Sequence, residues 1–165
     1  WQECLRELKV ERDLPESILI LGFGAGSAAS ILRGEIGLKA PITGVEGDPE
    51  MLRIAKEFFH VDRLKDLTLI HSDALEFVAR NTDRFELVLV DLCHELDLAP
   101  GVDEDPFLSG LRGCTSEGGY LCFNTIVHNQ GSGIRSQRVS EGLGRAFDTV
   151  TEHHYLVINR VLVAR

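Results

Sequence analysis

Ile18, Leu19, Ile20 and Leu21 run without interruption into Gly22-Phe23-Gly24-Ala25-Gly26-Ser27, an apolar strand that ends in alternating glycines. Glycines at such a point let the main chain bend sharply and come within contact distance of a ligand, because a side chain there would occupy the ligand's space. Ser27-Ala28-Ala29-Ser30-Ile31-Leu32 then begins a small-residue helix. Strand, turn and helix in that order place a nucleotide-type ligand at the end of a buried sheet. The same glycine spacing also occurs in loops that bind nothing, so the flanking elements carry the inference.

A second apolar-leading strand, Ile42-Thr43-Gly44-Val45, delivers Glu46. A carboxylate about 20 residues beyond the glycines accepts both hydroxyls of a ribose in dinucleotide-binding folds. That pair alone does not separate a nicotinamide cofactor from S-adenosylmethionine. In the nicotinamide register the next glycine falls at Ser27, which counts against a dehydrogenase. Asp48 and Pro49 form a helix N-cap and first helical position, and Met51, Leu52, Ala55, Phe58 and Phe59 recur at helical spacing.

Leu67 to Ala74 reads as a short third strand ending in Asp73-Ala74, before a helical segment from Leu75 to Ala79. An acid and a small residue there can meet an adenine edge. Phe85 to Val90 is a nearly continuous apolar run, as a strand buried on both faces requires, and it delivers Asp91 to the same sheet edge. Each acid by itself reads equally well as a solvated turn residue or helix cap. Jointly, Glu46, Asp73 and Asp91 end successive strands where ligands of open α/β sheets sit.

These residues resemble the class I S-adenosylmethionine-dependent methyltransferase superfamily, and within it the spermidine-synthase-like branch. The resemblance spans nearly the whole chain. It implies a Rossmann-like three-layer α/β/α fold, with a mostly parallel seven-stranded sheet and a C-terminal antiparallel strand. It implies S-adenosylmethionine, or its decarboxylated form, as cofactor, bound by Gly22, Phe23, Gly24, Gly26, Glu46, Gly47, Asp73, Ala74 and Asp91. Trp1-Gln2-Glu3-Cys4-Leu5 looks like the Tyr-Gln-Glu segment of polyamine aminopropyltransferases, where the aromatic and the Gln help line the active site, so Gln2 is a candidate substrate-binding residue. Ile20 is apolar where ordinary methyltransferases carry an acid, as in that branch.

Two departures point away from aminopropyl transfer. Aminopropyltransferases carry an Asp inside the glycine turn, where this chain has Ala25. They also place a second Asp soon after the post-strand one, where this chain reads Asp91-Leu92-Cys93-His94-Glu95. Holding a cationic polyamine while one amine is deprotonated needs those acids. Asp97, Asp103, Glu104 and Asp105 lack the family's spacing and read as a solvated loop. The expectation is therefore methyl transfer to an unidentified small-molecule or protein acceptor, catalysed mainly by positioning. Asp91 is placed near the reacting centre and His94 is a candidate base. Aminopropyl transfer and a non-catalytic nucleotide-binding module remain the alternatives.

One domain over residues 1–165 suffices, because a chain of that length can bury about 70% of its unfolded surface. Its opening helix is expected over residues 1–14, with Glu3, Glu7, Glu11, Arg6 and Arg12 wet and Leu5, Leu8 and Val10 apolar. The chain begins at Trp1 and its only methionine is Met51, so a preceding small β domain can be missing. No apolar run approaches the ~20 residues of a membrane span, and no secretory leader is expected. The net charge of −9 argues against a nucleic-acid surface, which needs clustered Lys and Arg. Cys4, Cys93, Cys114 and Cys122 have no zinc spacing and read as reduced thiols of a cytoplasmic protein, with Cys122 in the core of a fifth strand over Gly119–Phe123. A homodimer is possible in such a fold.

No metal site is expected. Asp91 with Asn124-Thr125 supplies one acid and one amide where magnesium usually takes a carboxylate or two, and His153 and His154, adjacent on a strand, face opposite sides. Val127 to Gly133 reads as a loop, lid or linker. Ile134 to Phe147 reads as a helix in which Gly142 and Gly144 each cost about 1 kcal/mol. Residues 149–155 and 158–164 read as a closing antiparallel pair.

Overall fold

The computed structural model describes residues 1–7, 15–94 and 96–165. Six helices and nine strands are found among them: α1 Gln2–Glu7, β1 Ile18–Leu21, α2 Ser27–Gly34, β2 Ile42–Glu46, α3 Pro49–Phe59, β3 Leu67–His71, α4 Ala74–Arg80, β4 Phe85–Val90, β5 Cys93–His94, β6 Asp97–Leu98, α5 Asp105–Cys114, β7 Thr115–Ile126, α6 Gln130–Ala146, β8 Val150–Tyr155 and β9 Asn159–Ala164. Seven strands form one sheet in the order β3-β2-β1-β4-β7-β9-β8, and β5 pairs with β6 as a separate small hairpin. The pairs among β1, β2, β3, β4 and β7 are parallel, whereas β9 runs antiparallel to both β7 and β8. The sheet expected from the sequence is the sheet observed.

Strand alternation sorts the core into two layers. Leu19, Leu21, Val88, Val90, Leu121 and Phe123 face the side covered by α4, α5 and α6. Ile18, Ile20, Leu87, Leu89 and Cys122 face the side covered by α1, α2 and α3. Both faces of β1 are therefore buried, which is why it has no polar residue. Strand order reverses beside β1, which has β2 on one side and β4 on the other. The crevice outside their carboxyl ends is where ligands of such sheets bind.

Two expectations change, and a third is described only in part. The opening helix is described only over Gln2–Glu7, and Leu8, Val10, Glu11 and Arg12 lie outside the described residues. The expected loop over Val127–Gly133 is half helix, because Asn129 Oδ1 accepts the Ser132 N–H at 2.9 Å while Ser132 Oγ accepts the Asn129 N–H at 3.1 Å. This capping box starts α6 at Gln130 and leaves its glycines in the first turn.

The acids after Asp91 are not uniformly solvated. Asp103 has a side chain only 8% exposed and pairs with Arg135 at 2.6 Å and Arg138 at 3.4 Å, both on α6. Arg135 also donates to the carbonyls of Leu98 at 2.6 Å and Ala99 at 2.9 Å, so one guanidinium ties the segment after β4 to α6.

Candidate active site

The turn after β1 is fixed from both sides. Gly22 and Phe23 donate their N–H groups to Val45 O at 3.0 and 2.9 Å, and Asp91 donates to Leu21 O at 2.9 Å. Gly22, Gly24 and Gly26 have φ of 80°, 55° and 88°. At Gly22 a Cβ would stand 2.3 Å from the Asp91 carbonyl oxygen, so only glycine lets β1 and β4 exit this close together. At Gly24 a Cβ would meet nothing within 4 Å, which leaves space for a ligand against the main chain. Phe23 differs from the other turn residues. Its ring is buried beneath the turn, where a Cβ on Gly44 would come within 2.3 Å of it, so its side chain belongs to the core and only its backbone faces the turn.

Glu46 bridges the turn and the end of β2. Its Oε2 accepts the Gly24 N–H at 2.8 Å and its Oε1 accepts the Asp48 N–H at 2.9 Å. Asp48 caps α3 by accepting the Glu50 N–H at 2.8 Å. Asp73 caps α4 in the same manner, with Oδ1 accepting the N–H groups of Leu75 at 2.8 Å and Glu76 at 3.0 Å. Ser72 N–H donates to Glu46 O at 3.1 Å, and His71 Nε2 lies 3.1 Å from Gly47 O, which lashes the ends of β2 and β3 together. Gly47 sits against Asp73, since a Cβ on it would lie 3.9 Å from the Asp73 Cα. Ala74 follows as a buried first helical residue. Gly24, Glu46, Gly47 and Asp73 thus form one continuous edge.

Asp91 stands on the opposite wall. Its Oδ2 accepts the Trp1 indole N–H at 2.8 Å and its Oδ1 accepts an Asn124 amide N–H at 2.9 Å. These three residues line a cleft of about 390 Å³ together with Gln2, Glu3, Tyr155, Leu156, Asn159 and Val161. Gln2 lies at the cleft wall, but its amide donates to Glu35, the residue that caps the end of α2. His94 is exposed on the β5–β6 hairpin opposite Asp97 and is not among the cleft-lining residues. Beside it, burial, reinforced by the charges of Asp91 and Asp97, pushes the Cys93 thiol up to about 12. Thr125 turns away from Asn124 and bonds Ser136 at 2.9 Å inside the protein.

Sequence reading set Asn124 beside Asp91 only as a rejected magnesium pair, and missed both their hydrogen bond and the β8–β9 turn as a cleft wall. Both arise from contacts more than 30 residues apart, and no local motif marks them.

The donor set fits an adenosine. A glycine turn with open space over Gly24, a carboxylate anchored at the second strand end and an acid beside a small residue at the third are what a ribose and an adenine edge require. The fold and this edge define a Rossmann-like nucleoside-binding protein of the class I methyltransferase type. The profile of the methyltransferase domain family matches residues 18–119. The chain belongs to that family of transferases, and S-adenosylmethionine is its cofactor.

A Drosophila melanogaster protein named eEF1A lysine and N-terminal methyltransferase homolog is 35% identical over 99 residues, 58% of this chain and 14% of that protein. A polyamine aminopropyltransferase of Thermoplasma volcanium is 31% identical over 111 residues, 65% of this chain and 40% of that protein. The chain therefore spans well under half the length of either relative. Human methyltransferase-like protein 13, solved in complex with SAH, superposes with a TM-score of 0.79 over 98% of this chain and 76% of that one. At 21% identity this last likeness is one of fold.

Proposed function

We propose that this domain, a member of the spermidine-synthase-like branch, transfers the methyl group of S-adenosylmethionine to an amine nitrogen seated in the Asp91 cleft. The observation that carries this is the Asp91 carboxylate, gripped at one oxygen by Trp1 and at the other by Asn124 on the cleft wall. Bound S-adenosylmethionine supplies an electrophilic methyl on a sulfonium. An ammonium has no lone pair and must shed a proton before it attacks. Asp91 can accept one N–H of the neutral amine and aim its lone pair, and rate then comes from fixed geometry rather than from a dedicated base. The relatives' names include lysine and N-terminal methyl transfer and polyamine aminopropyl transfer, whose acceptors are all amines. A net charge of −9 suits a cationic small-molecule or protein acceptor better than a nucleic acid.

The test uses radiolabelled S-adenosylmethionine and a panel of lysine peptides, peptides with free N-termini, putrescine and spermidine. Asp91→Asn keeps the shape but loses the charge. It is expected to lower transfer about 100-fold at saturating cofactor, with cofactor affinity read separately by calorimetry. Unaltered transfer by Asp91→Asn would remove the basis of the reading.

Aminopropyl transfer is the second reading, supported by the archaeal relative. It predicts tighter binding of decarboxylated S-adenosylmethionine than of the parent cofactor. Ala25 in the glycine turn and Cys93-His94 after Asp91 stand where that chemistry needs acids.

A further inference from the structure

The β8–β9 turn is built against ordinary turn chemistry. Tyr155 pairs with Asn159, so Leu156, Val157 and Ile158 close the hairpin, three aliphatic residues where glycine or asparagine usually sits. Leu156 holds a φ of 54°, a left-handed conformation that bulky side chains rarely adopt. Leu156 and Val157 are 87% and 97% exposed, and neither packs into either core layer. Folding therefore gains nothing from them. The turn nevertheless stands at the Asp91 cleft, whose wall includes Tyr155, Leu156 and Asn159.

We propose that this turn is an apolar lip that docks a polypeptide acceptor, one with an aliphatic residue beside the amine that reaches Asp91. The proposal rests on the methyl-transfer reading above. Two observations select the occupant. Glu3 and Asp91 place two carboxylates in the cleft of a chain with net charge −9, which complements a cationic segment. The lip adds exposed aliphatic surface at the mouth of that cleft, which a free polyamine has no side chain to cover and a peptide does. The same exposed pair would otherwise be an aggregation liability.

Trp1 is the chain's only tryptophan and lines the cleft, so its emission reports occupancy. The protein saturated with S-adenosylhomocysteine is titrated with two lysine peptides that differ only in Leu or Ser beside the lysine, and with spermidine. The same titrations are run on a Leu156→Asn, Val157→Ser variant. Asn tolerates the left-handed conformation, so the variant keeps its fold, checked by an unchanged melting temperature.

The wild type is expected to bind the Leu peptide about tenfold more tightly than the Ser peptide. The variant is expected to lose that preference and to bind spermidine as before. Equal binding of the two peptides by the wild type, binding of neither, or a preference that survives in the variant overturns the lip. Dimerisation of the wild type that the variant abolishes assigns the turn to a second copy, and overturns it too. Failure of the transfer reading shows separately, as S-adenosylhomocysteine that does not bind at all.

Discussion

Glu46 has both carboxylate oxygens spoken for by main-chain N–H groups, one from the glycine turn and one from the start of α3. Hydrogen bonds to an ionised group contribute about 1.5–3 kcal/mol each, and these hold the carboxylate still before any ribose arrives. Glu46→Ala removes the ribose acceptor and also orphans the Gly24 N–H. Affinity for S-adenosylmethionine is expected to fall by roughly tenfold to a hundredfold in calorimetry, since one such bond spans that range. Asp73 carries a double duty of the same type, because Oδ1 already caps α4. The chemistry of these acids is legible in sequence because it is local: each stands at or just beyond the end of its strand and ahead of a helix. Phe23 shows the limit, since a residue inside a binding turn can point its side chain into the core, and only the matching absence of a side chain at Gly44 reveals it.

In α6 the two interior glycines look equivalent as sequence and are opposite as structure. A Cβ on Gly142 would lie 2.3 Å from Leu108 Cδ1 of α5, whereas one on Gly144 would meet nothing within 4 Å. Alanine gains up to about 1 kcal/mol over glycine in a helix. Gly144→Ala is expected to stabilise the domain by about 0.5–1 kcal/mol in a denaturant melt. Gly142→Ala is expected to destabilise it by about 1–3 kcal/mol, because the α5–α6 contact must open. The start of α6 escaped the sequence for a related reason. Gly131 and Gly133 suggest a loop, and the Asn129–Ser132 capping box that overrides them has serine where the usual signature has a glutamate. The inner strands β1 and β4 were readable because burial on both faces leaves long apolar runs, whereas the edge strand β8 is partly exposed and carries polar residues such as His153 and His154.

Across the molecule, long-range ion pairs hold the segment after Asp91 in place. Burial pushes the Asp103 carboxyl up, but the bonds from Arg135 and Arg138 outweigh it and hold the group below its ordinary range. A depressed folded pKa means that Asp103 contributes stability above the unfolded carboxylate value, about 3.9. That contribution is lost as pH falls through the lower folded value. Melting temperature should therefore drop more steeply below about pH 4 in the wild type than in Asp103→Asn, and the variant should already be less stable at pH 7. Equal slopes in the two proteins would show that Asp103 takes no part in acid unfolding. A solvated loop is the natural sequence reading of four acids within nine residues, since Arg135 and Arg138 lie more than 30 residues further on. Trp1 and Asp91 are separated still further, by 90 positions, and only the folded chain brings the indole to the carboxylate.

Gly22 and Asp91 share a seam at which no methyl group fits. The glycine turn and the Asp91 wall are thus two sides of a single partition, one main chain thick. Any shift of that partition by one guest changes the affinity for the other, and by the same factor in both directions.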